Sequence, residues 1–212
     1  MDNNNEELKP AESPEKQPKS ASTFFSDVRE IAESTIITVF VIVLIFTYLL
    51  HPVNVVGSSM VPTLNDSDKV FMSTVVGEYS YGDIVIIEND ASYLKEPLTG
   101  QLYEASSGQL NERIIKRVIA CGGQVIDIDF ETGQVSVDGK VLDEPYINEI
   151  TRNNDGAFQY PLEIPEGYYF VMGDNRNHSS DSRNQLVGLI KKEQIYGKAV
   201  MRYSPFSEFK IL

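Results

Sequence analysis

Apolar and polar positions divide the chain into three stretches. The first twenty residues are rich in Pro, Glu, Lys and Asn and hold almost nothing to bury. Such a composition cannot offset the entropy of ordering, so residues 1–30 are read as a disordered tail ahead of the first apolar run. From Ile36 to Leu50 only Thr38, Thr47 and Tyr48 carry polar side-chain atoms. Extended back to Ile31 the run reaches about 30 Å as a helix, the thickness of a bilayer's hydrocarbon core. Glu33 then lies within one turn of the entry end, and Pro52 marks the exit. A soluble buried helix or a strand is the competing reading, but a soluble helix in a domain this small would need a polar face. The run is also too long for the apolar region of a cleaved signal peptide, and no small-x-small site follows it cleanly. Residues 31–50 are therefore read as a retained transmembrane signal-anchor.

Beyond residue 53 the pattern is that of strands. "KVFMSTVV" (69–76), "DIVIIEN" (83–89), "RIIKRVIA" (113–120), "GYYFVM" (167–172) and "IYGKAVMRY" (195–203) are β-branched or aromatic runs. "QVIDIDF" (124–130) alternates, and in "QVSVDGKVL" (134–142) the pair Asp138–Gly139 separates two short runs, a strong hairpin signal. Segments 90–112 and 145–165 are rich in turn formers and read as long excursions. The expected fold is mainly β: one N-terminal transmembrane helix and a β-domain over 53–212.

Charge orients this plan. Lys9, Lys16, Lys19 and Arg29 precede the apolar run, and the first basic residue after it is Lys69. The N-terminus is therefore expected in the cytoplasm, with the β-domain outside the cell membrane. The net charge of −13 argues against nucleic acid as a partner. A single cysteine, Cys121, allows neither an internal disulfide nor a thiolate zinc cluster, and two histidines are few for a zinc enzyme. No metal and no cofactor is expected.

Three places could carry chemistry. In a strand over 113–120, Lys116 shares a face with Ile114, Val118 and Ala120 and is the one polar residue there. Burial would lower its pKa toward that of a general base, whereas an edge lysine that snorkels to water would stay inert. "VVGSSMVPTL" (55–64) holds two serines between a glycine and a proline, which suits a nucleophile loop but equally a polar turn. "MGDNRNHSSDSRNQ" (172–185) follows a strand and is almost wholly polar. It contains His178 near Asp174 and Asp181, so a Ser-His-Asp triad has to be weighed, as does an oxygen-ligand metal loop.

"SSMVPTL" (58–64), "YGDIVII" (81–87), "IKRVIA" (115–120) and "MGDNRNHSSDSR" (172–183) occur in that order after the apolar run. Together they resemble the four ordered boxes of bacterial type I signal peptidases, over about residues 53–205. The resemblance implies Ser59, not Ser58, as nucleophile and Lys116 as general base. It implies Ser179 as a residue that orients the lysine, and Asp181 and Arg183 as a pair supporting the site. It leaves His178 as a loop residue and implies a fold of two packed antiparallel β-regions. The activity implied is a membrane-anchored serine endopeptidase that removes signal peptides from preproteins, with the lipid bilayer as the other partner and no obligate protein partner. Two departures stand out. "CGGQ" (121–124) places Gly122 and Gln124 where the family commonly has Pro and Asp, and Gly57 stands where some members carry a serine that assists the oxyanion hole. The alternatives are a self-cleaving repressor-type protease, a sortase built on Cys121, and an anchored β-domain for binding or assembly without catalysis.

Overall fold

The computed structural model describes residues 21–105 and 112–212. The tail expected over 1–30 therefore lies mostly outside the described residues. Where they begin the chain is already helical: α1 runs Ala21–Leu44, so 21–30 form helix rather than tail. A single π-turn, Ile45–Leu49, ends it. The stretch Phe25–Leu49 is long and apolar enough to cross a membrane. Most of its apolar side chains are exposed, including Ile36, Val39, Phe40 and Val43, as a lipid-facing helix requires. Two of its hydroxyls are satisfied within the helix: Thr35 Oγ1 donates to the Ile31 carbonyl (2.7 Å) and Thr38 Oγ1 to that of Ser34 (2.8 Å).

The rest of the described chain forms a separate compact unit from Leu44 onward. It holds fourteen strands: β1 Leu50–Asn54, β2 Lys69–Ser73, β3 Ile84–Glu88, β4 Tyr93–Lys95, β5 Leu102–Glu104, β6 Arg113–Cys121, β7 Val125–Asp129, β8 Gln134–Val137, β9 Lys140–Val141, β10 Leu162–Glu163, β11 Tyr168–Met172, β12 Ile190–Lys191, β13 Ile195–Ser204 and β14 Lys210–Ile211. Every pairing is antiparallel. An eight-stranded sheet runs β1-β2-β13-β3-β6-β11-β12, with β14 on β13. A four-stranded sheet runs β10-β7-β8-β9, and β4 and β5 form a small third sheet.

All seven strand-like runs of the sequence form strands. The excursions are less empty than expected, because 90–112 contains the β4–β5 hairpin and 145–165 contains β10. Strand β1 was not anticipated either: Leu50, expected to end the helix, instead pairs with Ser73. Pro52 is tolerated there because β1 is an edge strand, where a missing N–H leaves no central ladder bond broken.

Burial follows strand position. In β7, Ile126 and Ile128 are buried while Val125, Asp127 and Asp129 face out, the alternation of a sheet with one covered face. Central β3 is buried at four consecutive positions. Its Val85 and Ile87 join one core cluster while Ile84 and Ile86 join another on the opposite face. A third cluster, with Ile119, Phe170, Ile126, Val135 and Leu162, packs the large sheet against the four-stranded one. The Asp138–Gly139 turn closes β8 onto β9 in two residues, with φ of +52° and +74°, the left-handed pair that such a hairpin demands.

The "CGGQ" turn between β6 and β7 has its own stiffening. Gln124 Oε1 accepts the Cys121 N–H (2.9 Å), and Gln124 Nε2 donates to Asp138 (3.1 Å). A Cβ on Gly122 would lie 2.8 Å from Glu166 Cα and 2.9 Å from the Pro165 carbonyl oxygen, both backbone atoms. Gly122→Ala is accordingly expected to lower stability by about 1–3 kcal/mol through overpacking. A thermal denaturation midpoint equal to that of the wild type would contradict this account of the turn.

Candidate active site

Strand β6 carries Lys116 into the interior at 3% exposure. Its Nζ lies 2.9 Å from Ser59 Oγ and donates to the Ile115 carbonyl at 2.9 Å. Burial pushes the Lys116 ammonium down to about 8, against the opposing pull of Asp181, Glu112 and Asp174. Fifty-seven positions apart in sequence, the serine and the lysine thus meet in a part-buried site. Ser58, by contrast, is exposed.

The loop after β11 supports both. Asp181 is fully buried, accepts from Arg183 Nε and Nη2 at 2.8 Å each, and accepts the Gly173 N–H at 3.0 Å. Burial alone would raise its carboxyl; the Arg183 charge and these hydrogen bonds outweigh that and hold it below the usual carboxylate range. Arg183, also fully buried, ties the loop to itself through the Arg176 carbonyl and to the Asn153 carbonyl (3.1 Å). Asp181 and Arg183 therefore form a buried ion pair within the loop.

Ser179 is placed differently from expectation. Its Oγ is buried without a hydrogen-bond partner, and Lys116 bonds to Ser59 and Ile115 instead. Ser179 Oγ and the Ser59 carbonyl oxygen both crowd the space that a Cβ on Gly173 would need. His178 is exposed at the cleft mouth, and its carboxylate neighbour is Glu149 at 3.8 Å. Asp174 and Asp181 are each engaged with an arginine, so a Ser-His-Asp triad is not assembled. Cys121 donates to the Tyr79 carbonyl at 3.5 Å, and burial pushes its thiol up, away from reactivity. Among the described residues no group of His, Cys, Asp and Glu is placed to hold a metal ion.

Several residues of the site escaped sequence reasoning. Arg117, on the opposite face of β6 from Lys116, pairs through Nε and Nη2 with Asp174 at 2.8 and 2.6 Å. Its guanidinium also lies over the Tyr146 ring, 4.0 Å from the centroid. Arg176 pairs with Glu144 at 2.6 Å and with Thr151 at 3.0 Å. Asn175 reaches the serine loop directly: its N–H donates to the Ser59 carbonyl and its Nδ2 to the Ser58 carbonyl, each at 3.0 Å. The polar density of 172–185 was the available signal for a mutually bonded loop, but the partners from 143–151 had none.

A cleft of about 550 Å³ is lined by Ser59 and Lys116. One wall is Val53–Met60 and the other Glu112–Lys116, with Tyr196 and His178 at the rim. On that second wall β6 pairs with β11 only from Arg117 onward, Met172 facing Arg117. Arg113–Lys116 therefore present an edge that β11 does not cover.

Comparison with known proteins identifies the family. Residues 28–204 match the model of the family described as signal peptidase, peptidase S26. The chain is 35% identical over 206 residues to a signal peptidase I of Bacillus licheniformis, covering 92% of this chain and 97% of that one. It is 33% identical over 193 residues to signal peptidase I S of Bacillus subtilis strain 168, covering 86% and 92%. A crystal structure of a signal peptidase I from Enterococcus faecalis V583 is 25% identical and covers 58% of this chain and 97% of that one, with a TM-score of 0.39. On the sequence matches, the chain belongs to the signal peptidase family, peptidase S26.

Proposed function

We propose that this chain removes N-terminal signal peptides from preproteins through a Ser59/Lys116 dyad, acting from the plasma membrane with its β-domain on the extracytoplasmic side. The observation that carries the reading is the 2.9 Å separation of Ser59 Oγ and the Nζ of the buried Lys116. Neutral Lys116 takes the Ser59 hydroxyl proton as Oγ attacks the scissile carbonyl. Collapse of the tetrahedral intermediate breaks the C–N bond, Lys116 returns the proton to the leaving amine, and an acyl-enzyme remains. Lys116 then deprotonates a water, which attacks the ester and frees Ser59. The Ser59 N–H supplies the oxyanion donor.

The uncovered edge Arg113–Lys116 and the facing segment Val53–Met60 suit an extended peptide lying between them as an added strand. Ser59 and Lys116 line this cleft, and small side chains are expected next to the cut bond. Residues 25–49 anchor the enzyme in the bilayer that also holds the signal peptide, which raises their effective concentration.

Two outcomes are expected with full-length enzyme and a preprotein substrate. Ser59→Ala and Lys116→Ala each reduce cleavage by at least about a thousandfold, while Ser58→Ala and His178→Ala leave most of it. Substantial cleavage by Ser59→Ala would sink the dyad. Activity lost only with His178 would restore a triad, and function independent of Ser59 and Lys116 would point to an anchored binding domain.

The second outcome concerns pH. A protonated lysine cannot accept a proton, so activity is expected to rise with pH through about 8 and to hold at alkaline pH. A rate profile with its midpoint near about 6.5, the ordinary histidine value, would contradict Lys116 as base.

A further inference from the structure

With Ser59 read as the nucleophile, the oxyanion donor is the Ser59 backbone N–H, and something must aim it. Gly57 has no side chain to contribute. Its φ of +85° would strain any L-residue placed there, although a Cβ would meet no atom within 4 Å. The donor left is the N–H of the peptide joining Ser58 to Ser59. In a trans peptide the C=O and N–H point in opposite directions from one rigid plane. Holding the Ser58 carbonyl therefore sets the direction of the Ser59 N–H.

Asn175 holds that carbonyl. Its Nδ2 donates to the Ser58 oxygen at 3.0 Å, and its own N–H donates to the Ser59 oxygen at 3.0 Å. Two consecutive peptides on either side of the Ser59 Cα are thus tied to one residue. The amide orientation is set in turn: Asn148 Nδ2 lies 3.4 Å from Asn175 Oδ1, which leaves Asn175 Nδ2 toward Ser58. Asn148 is itself fixed by its N–H bond to the Asp174 carbonyl at 3.1 Å. Asn175 is 7% exposed, so water competes little for these bonds. A hydrogen bond to a peptide oxygen also polarises that peptide and makes its N–H a better donor.

We propose that Asn175 is a positioning residue for the oxyanion hole, acting through the Ser58–Ser59 peptide. The inference rests on the reading of Ser59 as nucleophile. Asn175 touches neither the substrate nor the proton path. Its loss should weaken stabilisation of the tetrahedral intermediate while leaving substrate binding and Lys116 as they are.

The test uses full-length enzyme in detergent, a preprotein substrate, and a peptide aldehyde ending in alanine. The aldehyde carbon accepts Ser59 Oγ, the hydroxyl proton passes to Lys116, and the new oxyanion sits where that of the intermediate would. Asn175→Ala and the near-isosteric Asn175→Leu remove the Nδ2 donor, the second serving if the first fails to fold. For either variant the expected result is a fall in kcat of about 10–100-fold, below the about 100–1000-fold cost of deleting a donor outright. KM and the pH midpoint stay unchanged, and affinity for the aldehyde falls in proportion to kcat. Unchanged kcat in a folded variant would overturn the proposal. So would a fall accompanied by a shifted pH midpoint, or by aldehyde affinity that does not follow kcat, since general loosening of the site does both. Ser59→Ala in parallel separates the two levels: cleavage surviving there removes the nucleophile reading itself, whereas an inactive Ser59→Ala beside fully active Asn175 variants removes this inference alone.

Discussion

A lysine nitrogen held almost dry against a serine hydroxyl is the interaction around which the β-domain is arranged. An ammonium among Ile114, Val118 and their neighbours is costly, and that cost is what brings its proton affinity close to neutrality. The burial comes from the large sheet. Strand β6 lies between β3 and β11, and β3 is apolar on both faces. The half of β6 that β11 leaves unpaired ends at Lys116, so the strand that buries the lysine also leaves an open edge along the cleft.

A buried lysine with lowered proton affinity tolerates carboxylates nearby only when they are already engaged. Asp181 and Asp174 both pull the lysine toward its charged form. Each is given over to an arginine, Arg183 and Arg117 respectively. Free carboxylates at those places would raise the lysine further and hold it in its charged form. The arginines are in turn bound to carbonyls, to Thr63 and to the Tyr146 ring. The polar loop 172–185 is therefore an electrostatic shield as well as a scaffold. Gly173 allows the loop to approach the serine segment at a place where any side chain would collide.

Much of this was legible before any coordinates. Period-two alternation in 124–130 and the β-branched runs in 83–89 and 113–120 marked strands, because a pleated chain turns alternate residues to alternate faces. The same periodicity singled out Lys116. What escaped were short strands such as β10 and β12, two residues each, which have no period to detect. Strand β1 was hidden because the end of an apolar helix and the start of an edge strand share the same residue types. Ser179 was assigned by resemblance to orient the lysine, yet its Oγ has no partner here and packs beside Gly173.

The sequence by itself determined what depends on neighbours along the chain: the apolar length of the anchor, strand faces, the Asp138–Gly139 turn, and a lone lysine on an apolar face. Tertiary structure decided what depends on residues distant along the chain. It brought Ser59 to Lys116, left His178 exposed, gave Asp174 to Arg117 rather than to an imidazole, and set Asn175 against the serine loop. The physical reason lies in the range of the forces. Hydrophobic period and backbone sterics act over a few residues and leave a local trace. A hydrogen bond or a buried charge pair is decided by which partner the folded chain brings within about 3 Å, and nothing in local pattern encodes that choice.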